Sequence, residues 1–288
     1  MKKLFVILGK GYVGQYLAST LKNYSLPFEI WSKRDVDYTN PTILHSRLSI
    51  LARQNEVVVV NCAGYTGVPN VDGCEEPSAK PVVYQMNSAL PVQLAIVCKQ
   101  IPNVNFIHIS SGCIYNGYNK VFSETDQPNF GFFNEDSSFY SKTKHLAELG
   151  LKNLEYGVML RVRMIFGPDE QSRNFITKIK KYSHLIVNEN SMTNVVELCE
   201  FIIQFCAQNL DRTHDVYNVV NEGSISLKAI AAYYNSVSCE PRTWLFTSEA
   251  DLKLKAKRSN CILDTSKIRK LGLTLKPVSE SILTCLKG

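Results

Sequence analysis

Short apolar runs bounded by polar and glycine residues recur along the chain: Leu4–Leu8 (LFVIL), Val57–Asn61 (VVVVN) and Asn105–Ser110 (NFIHIS). Each has strand length and no alternation, so both of its faces must be covered. Between them lie helix-like stretches at Tyr12–Asn23, Pro41–Gln54 and Pro81–Gln100. Strands apolar on both faces that alternate with helices predict α/β architecture, with a doubly wound parallel sheet between two helical layers. A further helix is expected over Ser138–Asn153, followed by a strand at Val158–Arg163. After Arg163 the rhythm loosens, with a helix near Asn194–Gln208 and a strand at Val216–Val220. No internal repeat, low-complexity tract or long linker interrupts the pattern.

The chain has 288 residues, 45% of them hydrophobic and 20% charged, which suits one large α/β unit or two closely packed domains. The net charge of +6 is spread along the sequence. That suits an anionic small molecule; with no basic run interleaved with aromatics, nucleic acid is not an expected partner. The nine cysteines form no C-x-x-C pair and no cysteine–histidine cluster at zinc spacing, so no metal site is expected. Cys62, Cys98, Cys199 and Cys206 lie in apolar runs, where a thiol packs as a small hydrophobe. The simplest expectation is a reduced, cytoplasmic protein. The apolar core Leu4–Leu8 of the opening segment is too short for a signal peptide or a membrane span, and no membrane association is expected.

The first strand runs into Gly9, Gly11 and Gly14 in G-x-G-x-x-G spacing, with Tyr12 and Val13 between, and this turn opens a helix. Glycines there allow a tight turn and let backbone approach a pyrophosphate on the helix N-terminus, so a Rossmann-type dinucleotide site is expected. The second strand, in PFEIWSKR, ends not in an acid that would hold a ribose 2′-hydroxyl but in Ser32, Lys33 and Arg34. These favour a 2′-phosphate, so NADPH is expected over NADH. Asp37 would meet the adenine edge, and Asn61, Ala63 and Gly64 would pass beneath the nicotinamide side. The expected organisation is an NADP-binding domain over 1–163 and a smaller substrate-binding domain over 164–288, with segments around 193–221 crossing back to the sheet.

In SFYSKTKHLAE, Tyr140 and Lys144 share one helix face. A tyrosine near its free pKa of ~10 is a poor acid–base group at neutral pH. A neighbouring ammonium favours phenolate, so Lys144 is expected to draw Tyr140 downward and to hold the nicotinamide ribose. Ser111, at the end of the preceding strand, would donate to a substrate carbonyl. Such a pair also arises on solvated helix faces; the dinucleotide motif and the strand-end serine together point to carbonyl reduction. Cys113 remains open on the residues alone: a thiol beside a strand is more often packing than chemistry.

Several longer strings narrow the comparison: GYTGVPNVDGCE (64–75), SGCIY (111–115), PNFGFFNEDSSFYSKTK (128–144), LRVRM (160–164), RNFITKI (173–179), NSMT (190–193) and RSNCILDTSKI (258–268). With the Tyr140 motif, they make the chain resemble the extended short-chain dehydrogenases/reductases. Within these it resembles the plant-type bifunctional UDP-4-keto-6-deoxyglucose 3,5-epimerase/UDP-4-keto-rhamnose reductases, which make UDP-L-rhamnose. Bacterial dTDP-4-dehydrorhamnose reductases share the plan and match the strings less well. The resemblance implies that Ser111, Tyr140 and Lys144 serve reduction, and that Cys113 and Lys178 carry the epimerisation protons. A free lysine at ~10.4 is too basic for that work, so burial or a nearby cation must lower Lys178. By the same resemblance Arg258 meets phosphate, Asn174 lies near the sugar–phosphate link, and Thr66, Gly67, Val68 and Asn70 loop over the sugar, with Arg163 a further candidate. It also implies a homodimer and a separate 4,6-dehydratase that supplies the substrate. The alternatives are a reductase in which Cys113 is inert, and a non-catalytic NADP-binding subunit. One departure stands out: related glycine turns usually carry one residue more.

Overall fold

The computed structural model describes residues 1–208 and 213–287. Residues 209–212, within the expected crossing segment 193–221, and residue 288 lie outside the described residues. The chain opens with β1 (Lys2–Leu8), α1 (Tyr12–Asn23), β2 (Phe28–Trp31), α2 (Pro41–Ala52) and β3 (Asn55–Asn61). A long helical stretch follows, in which α3 (Lys80–Tyr84) passes through a π turn at Gln85–Ala89 into α4 (Leu90–Gln100). Then come β4 (Val104–Ser111), a 3-10 turn at Gly112–Ile114, α5 (Phe139–Leu154) and β5 (Val158–Val162). Beyond β5 lie α6 (Phe175–Ile179), β6 (His184–Ile186), β7 (Glu189–Asn190) and α7 (Val195–Ala207). The last elements are β8 (Asp215–Asn218), β9 (Ile225–Ser226), α8 (Leu227–Val237), β10 (Leu245–Thr247), α9 (Ser266–Lys270) and α10 (Val278–Lys287).

Six strands form one wholly parallel sheet in the order β2-β1-β3-β4-β5-β8, the doubly wound arrangement expected from the apolar runs. The two-residue period of the strand sorts its side chains. From β1, Phe5 and Ile7 join a core that includes Leu17 of α1 and Ile202 of α7, while Val6 and Leu8 join another with Leu44 of α2 and Leu94 of α4. Val57 to Val60 of β3 are fully buried, each contributing about 1.5–3 kcal/mol relative to an exposed side chain. A third core, with Phe166, Ile176, Met192, Trp244 and Ile282, lies away from the sheet.

Helix starts follow side-chain capping. Asn40 accepts from the Thr42 N–H at 3.0 Å before Pro41 begins α2, and Ser138 accepts from Ser141 before α5. The strand order reverses between β1 and β3, so a crevice opens beyond their carboxyl ends, where doubly wound folds bind ligands.

Candidate active site

Three glycines shape the crevice floor. Gly9 has φ +103°, and a Cβ there would stand 2.9 Å from the Ala63 backbone nitrogen. At Gly14 a Cβ would run into the Gly9 carbonyl oxygen. Gly11 is different: nothing lies within 4 Å of where its Cβ would be, and no side chain caps the N-terminus of α1. The turn thus packs β1, α1 and β3 tightly and leaves open N–H groups at a helix end, a good fit for a pyrophosphate. Val13 packs against the sheet core. Tyr12 is buried, its hydroxyl donating to Asp169 Oδ1 (3.3 Å), beside Tyr16 to Oδ2 (2.8 Å). Tyr12 therefore ties α1 to the segment after β5.

At the end of β2, Asp35 accepts from the Ser32 N–H (2.8 Å) and hydroxyl (2.7 Å) and pairs with Lys10 (2.8 Å). Hydrogen bonds from Lys10 and Ser32 hold its carboxyl below the usual range. Ser32 is spent on this turn; Lys33 and Arg34 are exposed. Asp37 is exposed and accepts from the Thr39 N–H (3.2 Å).

In the segment expected to pass beneath the nicotinamide side, the Asn61 side chain turns inward. It accepts from the Ala63 N–H (3.1 Å) and donates to Nδ1 of buried His108 (3.1 Å). Burial and then Lys144 push His108 well below its ordinary range, so the ring is neutral. Gly64, one residue past Ala63, is exposed; its Cβ position lies 3.3 Å from Asn87 Oδ1 and 3.8 Å from Lys144 Nζ. Asn87 comes from the π turn. It accepts from the Tyr65 N–H (2.8 Å) and donates to the Tyr65 carbonyl (2.8 Å), which fixes the loop after β3. Lys144 is buried and donates to the Ile109 carbonyl (3.3 Å); desolvation lowers its pKa.

Ser111, Cys113 and Tyr140 come together beside it. The Ser111 hydroxyl accepts from the Cys113 N–H (3.3 Å) across the 3-10 turn. Burial pushes the Cys113 thiol up, against hydrogen bonding with Ser111 and Ser141 and the charges of Arg163 and Lys144. Tyr140 is also raised, by burial and then by the nearby Cys113 sulfur, while hydrogen bonding with Ser111 acts the other way. The expected downward pull of Lys144 is therefore outweighed: burial dominates the phenol, and desolvation lowers Lys144 itself.

The far side of the crevice is built by 66–74 and 163–178. Thr66 is exposed and Gly67 has φ +76°. Arg173, which the sequence reading passed over, donates to Thr66 Oγ1 (2.7 Å) and the Gly67 carbonyl (2.9 Å). Val68 is exposed, and Asn70 caps the turn at Val71–Cys74 through the Asp72 N–H (2.9 Å). Lys178 is half-buried on α6; burial, then Arg173, lowers its pKa.

Two expected substrate contacts, Asn174 and Arg163, are buried, and a third, Arg258, is held by a carboxylate. Asn174 is fully buried. It accepts from the Gly167 and Ile176 N–H groups and donates to the Gly167 (2.8 Å) and Asp169 (2.5 Å) carbonyls. Its polar atoms are spent inside the protein, so it shapes the loop. Arg163 is buried behind the Cys113 turn, bonded to Gly112, Asn190 and Ser259. Arg258 is partly exposed and engages both carboxylate oxygens of Asp72, at 2.8 and 2.9 Å. Burial would raise Asp72, but Arg258 and the backbone hold it low. A phosphate reaching Arg258 has to compete with that carboxylate. Among the described residues no cluster of metal-ligating side chains occurs, and no helix is long and apolar enough to cross a membrane.

The family model described as RmlD substrate binding domain matches residues 1–288. A bifunctional dTDP-4-dehydrorhamnose 3,5-epimerase/dTDP-4-dehydrorhamnose reductase of Arabidopsis thaliana is 35% identical, over 97% of this chain and 91% of its own length. A trifunctional UDP-glucose 4,6-dehydratase/UDP-4-keto-6-deoxy-D-glucose 3,5-epimerase/UDP-4-keto-L-rhamnose-reductase of the same plant is 33% identical over 97% of this chain, which spans 41% of that longer protein. Among solved structures, the UDP-rhamnose synthase of Acanthamoeba polyphaga mimivirus has a TM-score of 0.87 at 24% identity, covering 99% of this chain and 98% of that one. A dTDP-4-dehydrorhamnose reductase of Bacillus anthracis in complex with NADP has a TM-score of 0.80 at 21% identity, covering 100% and 98%.

Proposed function

Because the chain belongs to the RmlD substrate-binding-domain family, whose model spans it from end to end, we propose that it is a nucleotide-sugar 3,5-epimerase and NADPH-dependent 4-ketoreductase. UDP-4-keto-6-deoxyglucose is epimerised at C3 and C5, then reduced at C4 to UDP-L-rhamnose. The carrying observation is that Ser111, Cys113 and Tyr140 come together at the end of β4 and the start of α5, beside buried Lys144. Burial pushes Cys113 and Tyr140 up, which suits proton donors, while burial and then Arg173 lower Lys178, which suits a base. An α-proton exchange across a ring face needs this combination: a base to take the proton, an acid to return one, and donors for the enolate oxygen.

In this reading Lys178 removes the proton α to the C4 ketone, Ser111 and Tyr140 donate to the developing enolate oxygen, and the Cys113 thiol protonates the carbon from the other face. A thiolate and an ammonium remain, and exchange with solvent resets them. Reduction must come second, because it removes the ketone that makes those protons acidic. NADPH, held by the Gly11 turn and by Lys33 and Arg34, would supply the hydride. Tyr140 then gives its proton to the C4 oxygen, and Lys144 orients the site from beneath. The name of the Bacillus anthracis neighbour and the exposed Lys33 and Arg34 support NADPH over NADH.

The same reading makes 164–288 the substrate-covering part, with Arg258 released from Asp72 to meet a phosphate. It also places the enzyme in the cytoplasm as a homodimer, supported by Val82, Tyr84 and Ile96, which leave apolar surface exposed along α3 and α4. A 4,6-dehydratase reaction supplies the keto sugar. The test is product NMR after incubation with UDP-4-keto-6-deoxyglucose and NADPH. UDP-L-rhamnose is expected. A 4-hydroxy product with unchanged C3 and C5 removes the epimerase and leaves a reductase, and no NADPH consumption removes both.

A further inference from the structure

Four of the strings singled out in the sequence meet at one guanidinium. Arg163, in LRVRM, donates from Nη1 to the Gly112 carbonyl (3.2 Å) and to Ser259 Oγ (2.8 Å). From Nη2 it donates to Asn190 Oδ1 (2.6 Å) and to the Ser259 carbonyl (2.8 Å). Gly112 precedes Cys113, and a Cβ on Gly112 would stand 3.1 Å from Arg163 Cγ and Cδ. The arginine stem thus lies close against the turn that presents the thiol, and Leu263 Cδ1 is nearer still, 2.6 Å from that Cβ position.

The charge on Arg163 is what needs explaining. It is 5% exposed, all four of its partners are neutral oxygens, and its buried Nε has no partner. Among the described residues no ion pair involves it, whereas buried Arg161, two residues earlier, is neutralised by Glu148 at 2.7 Å. A buried cation without a counter-charge is costly unless an anion forms beside it. We propose that Arg163 is a positioning residue for proton transfer at Cys113: it fixes the Gly112–Ile114 turn and supplies the standing positive charge against which the thiolate forms. The counter-charge is transient, created each time Cys113 gives up its proton. This inference rests on the reading of Cys113 as a proton carrier.

The other groups facing the thiol do less. Ser111 and Ser141 hydrogen-bond it without charge, and Cys74, Cys261 and Tyr140, all pushed up, offer no positive charge. Lys144, the other cation, favours the thiolate less than Arg163 and loses proton affinity by burial.

The test follows Cys113 alkylation by iodoacetamide against pH, read on the Cys113 peptide by mass spectrometry, in wild type, Arg163→Met, Arg163→Lys and Ser259→Ala. Removing the charge is expected to raise the midpoint by about one pH unit or more, slowing alkylation at neutral pH about tenfold. Arg163→Lys and Ser259→Ala keep the cation but lose part of its fork. In them, deuterium entry at C3 and C5 of the keto sugar is expected to fall at least about threefold relative to ketoreduction of pre-epimerised substrate; a purely structural role would lower both rates together. A midpoint unchanged in folded Arg163→Met overturns the inference. Should Arg163→Met fail to fold, an unchanged exchange-to-reduction ratio in the other two variants overturns it. Absent exchange in wild type would instead overturn the epimerase reading, and the alkylation midpoint still decides whether Arg163 supports the thiolate.

Discussion

Glu148→Gln tests how α5, which carries Tyr140 and Lys144, is fixed to the sheet. Glu148 and Arg161 are 5% and 4% exposed. The carboxylate accepts from Arg161 Nε (3.1 and 3.2 Å) and Nη2 (2.7 Å) and from the Ser110 hydroxyl (2.7 Å). Arg161 Nη1 also donates to the Tyr115 hydroxyl (3.0 Å), itself anchored on the Asp126 carbonyl (2.8 Å). Glutamine keeps the shape and leaves the buried guanidinium without its counter-charge. Breaking one side of a buried pair costs about 3–5 kcal/mol. At about 2–4 °C per kcal/mol, melting should fall by on the order of 10 °C. The double variant Glu148→Leu/Arg161→Leu removes both charges and strands chiefly the Ser110 hydroxyl, so it should lose only about 1–2 kcal/mol. Urea unfolding at pH 7, followed by circular dichroism and fluorescence, measures both. A single variant within about 1 kcal/mol of wild type, or a double variant less stable than the single, refutes the reasoning.

Three further outcomes are expected. In Arg173→Met, Lys178 loses the cation that helps hold its pKa down; its pKa rises, so the pH of half-maximal deuterium exchange moves upward, and an unshifted profile counts against Lys178 as the base. Gly14→Ala forces a methyl into the Gly9 carbonyl and should abolish NADPH binding, measured by quenching of protein fluorescence; binding within about threefold of wild type would contradict the packed turn. Lys33→Glu/Arg34→Glu should lower the NADPH-over-NADH ratio of kcat/KM by about a hundredfold, two charge contacts at about 1.4 kcal/mol each, and a constant ratio would remove them from the 2′-phosphate site.

The sheet was readable because burial on two faces leaves an unbroken apolar run; Val57–Val60 is such a run and lies at the sheet centre. Tyr140 and Lys144 were readable because helix spacing is local. The π turn was not: a continuous helical pattern over Pro81–Gln100 carries no mark of the extra residue that brings Asn87 to the loop. Nor was Arg173, whose partner Thr66 is 107 residues away. Asn174 and Arg163 were named as substrate contacts, but a residue type does not say whether its donors are already spent; in the fold the Asn174 amide and both Arg163 Nη atoms are. The direction at Tyr140 was misjudged for a related reason, since sequence spacing shows the neighbouring charge and not the burial that outweighs it. Met164, at φ +38°, follows Arg163 with no glycine to announce the left-handed turn.

The most direct measurement is proton NMR in D2O with UDP-4-keto-6-deoxyglucose and no NADPH, comparing wild type with Cys113→Ser. Deuterated C3 and C5 of inverted configuration should form in wild type and slow by about 10²–10⁴-fold in the variant, the range for loss of a positioned proton carrier. Inversion at the wild-type rate in Cys113→Ser, or no exchange in wild type alongside turnover of pre-epimerised keto-rhamnose with NADPH, would contradict a second chemistry at this site.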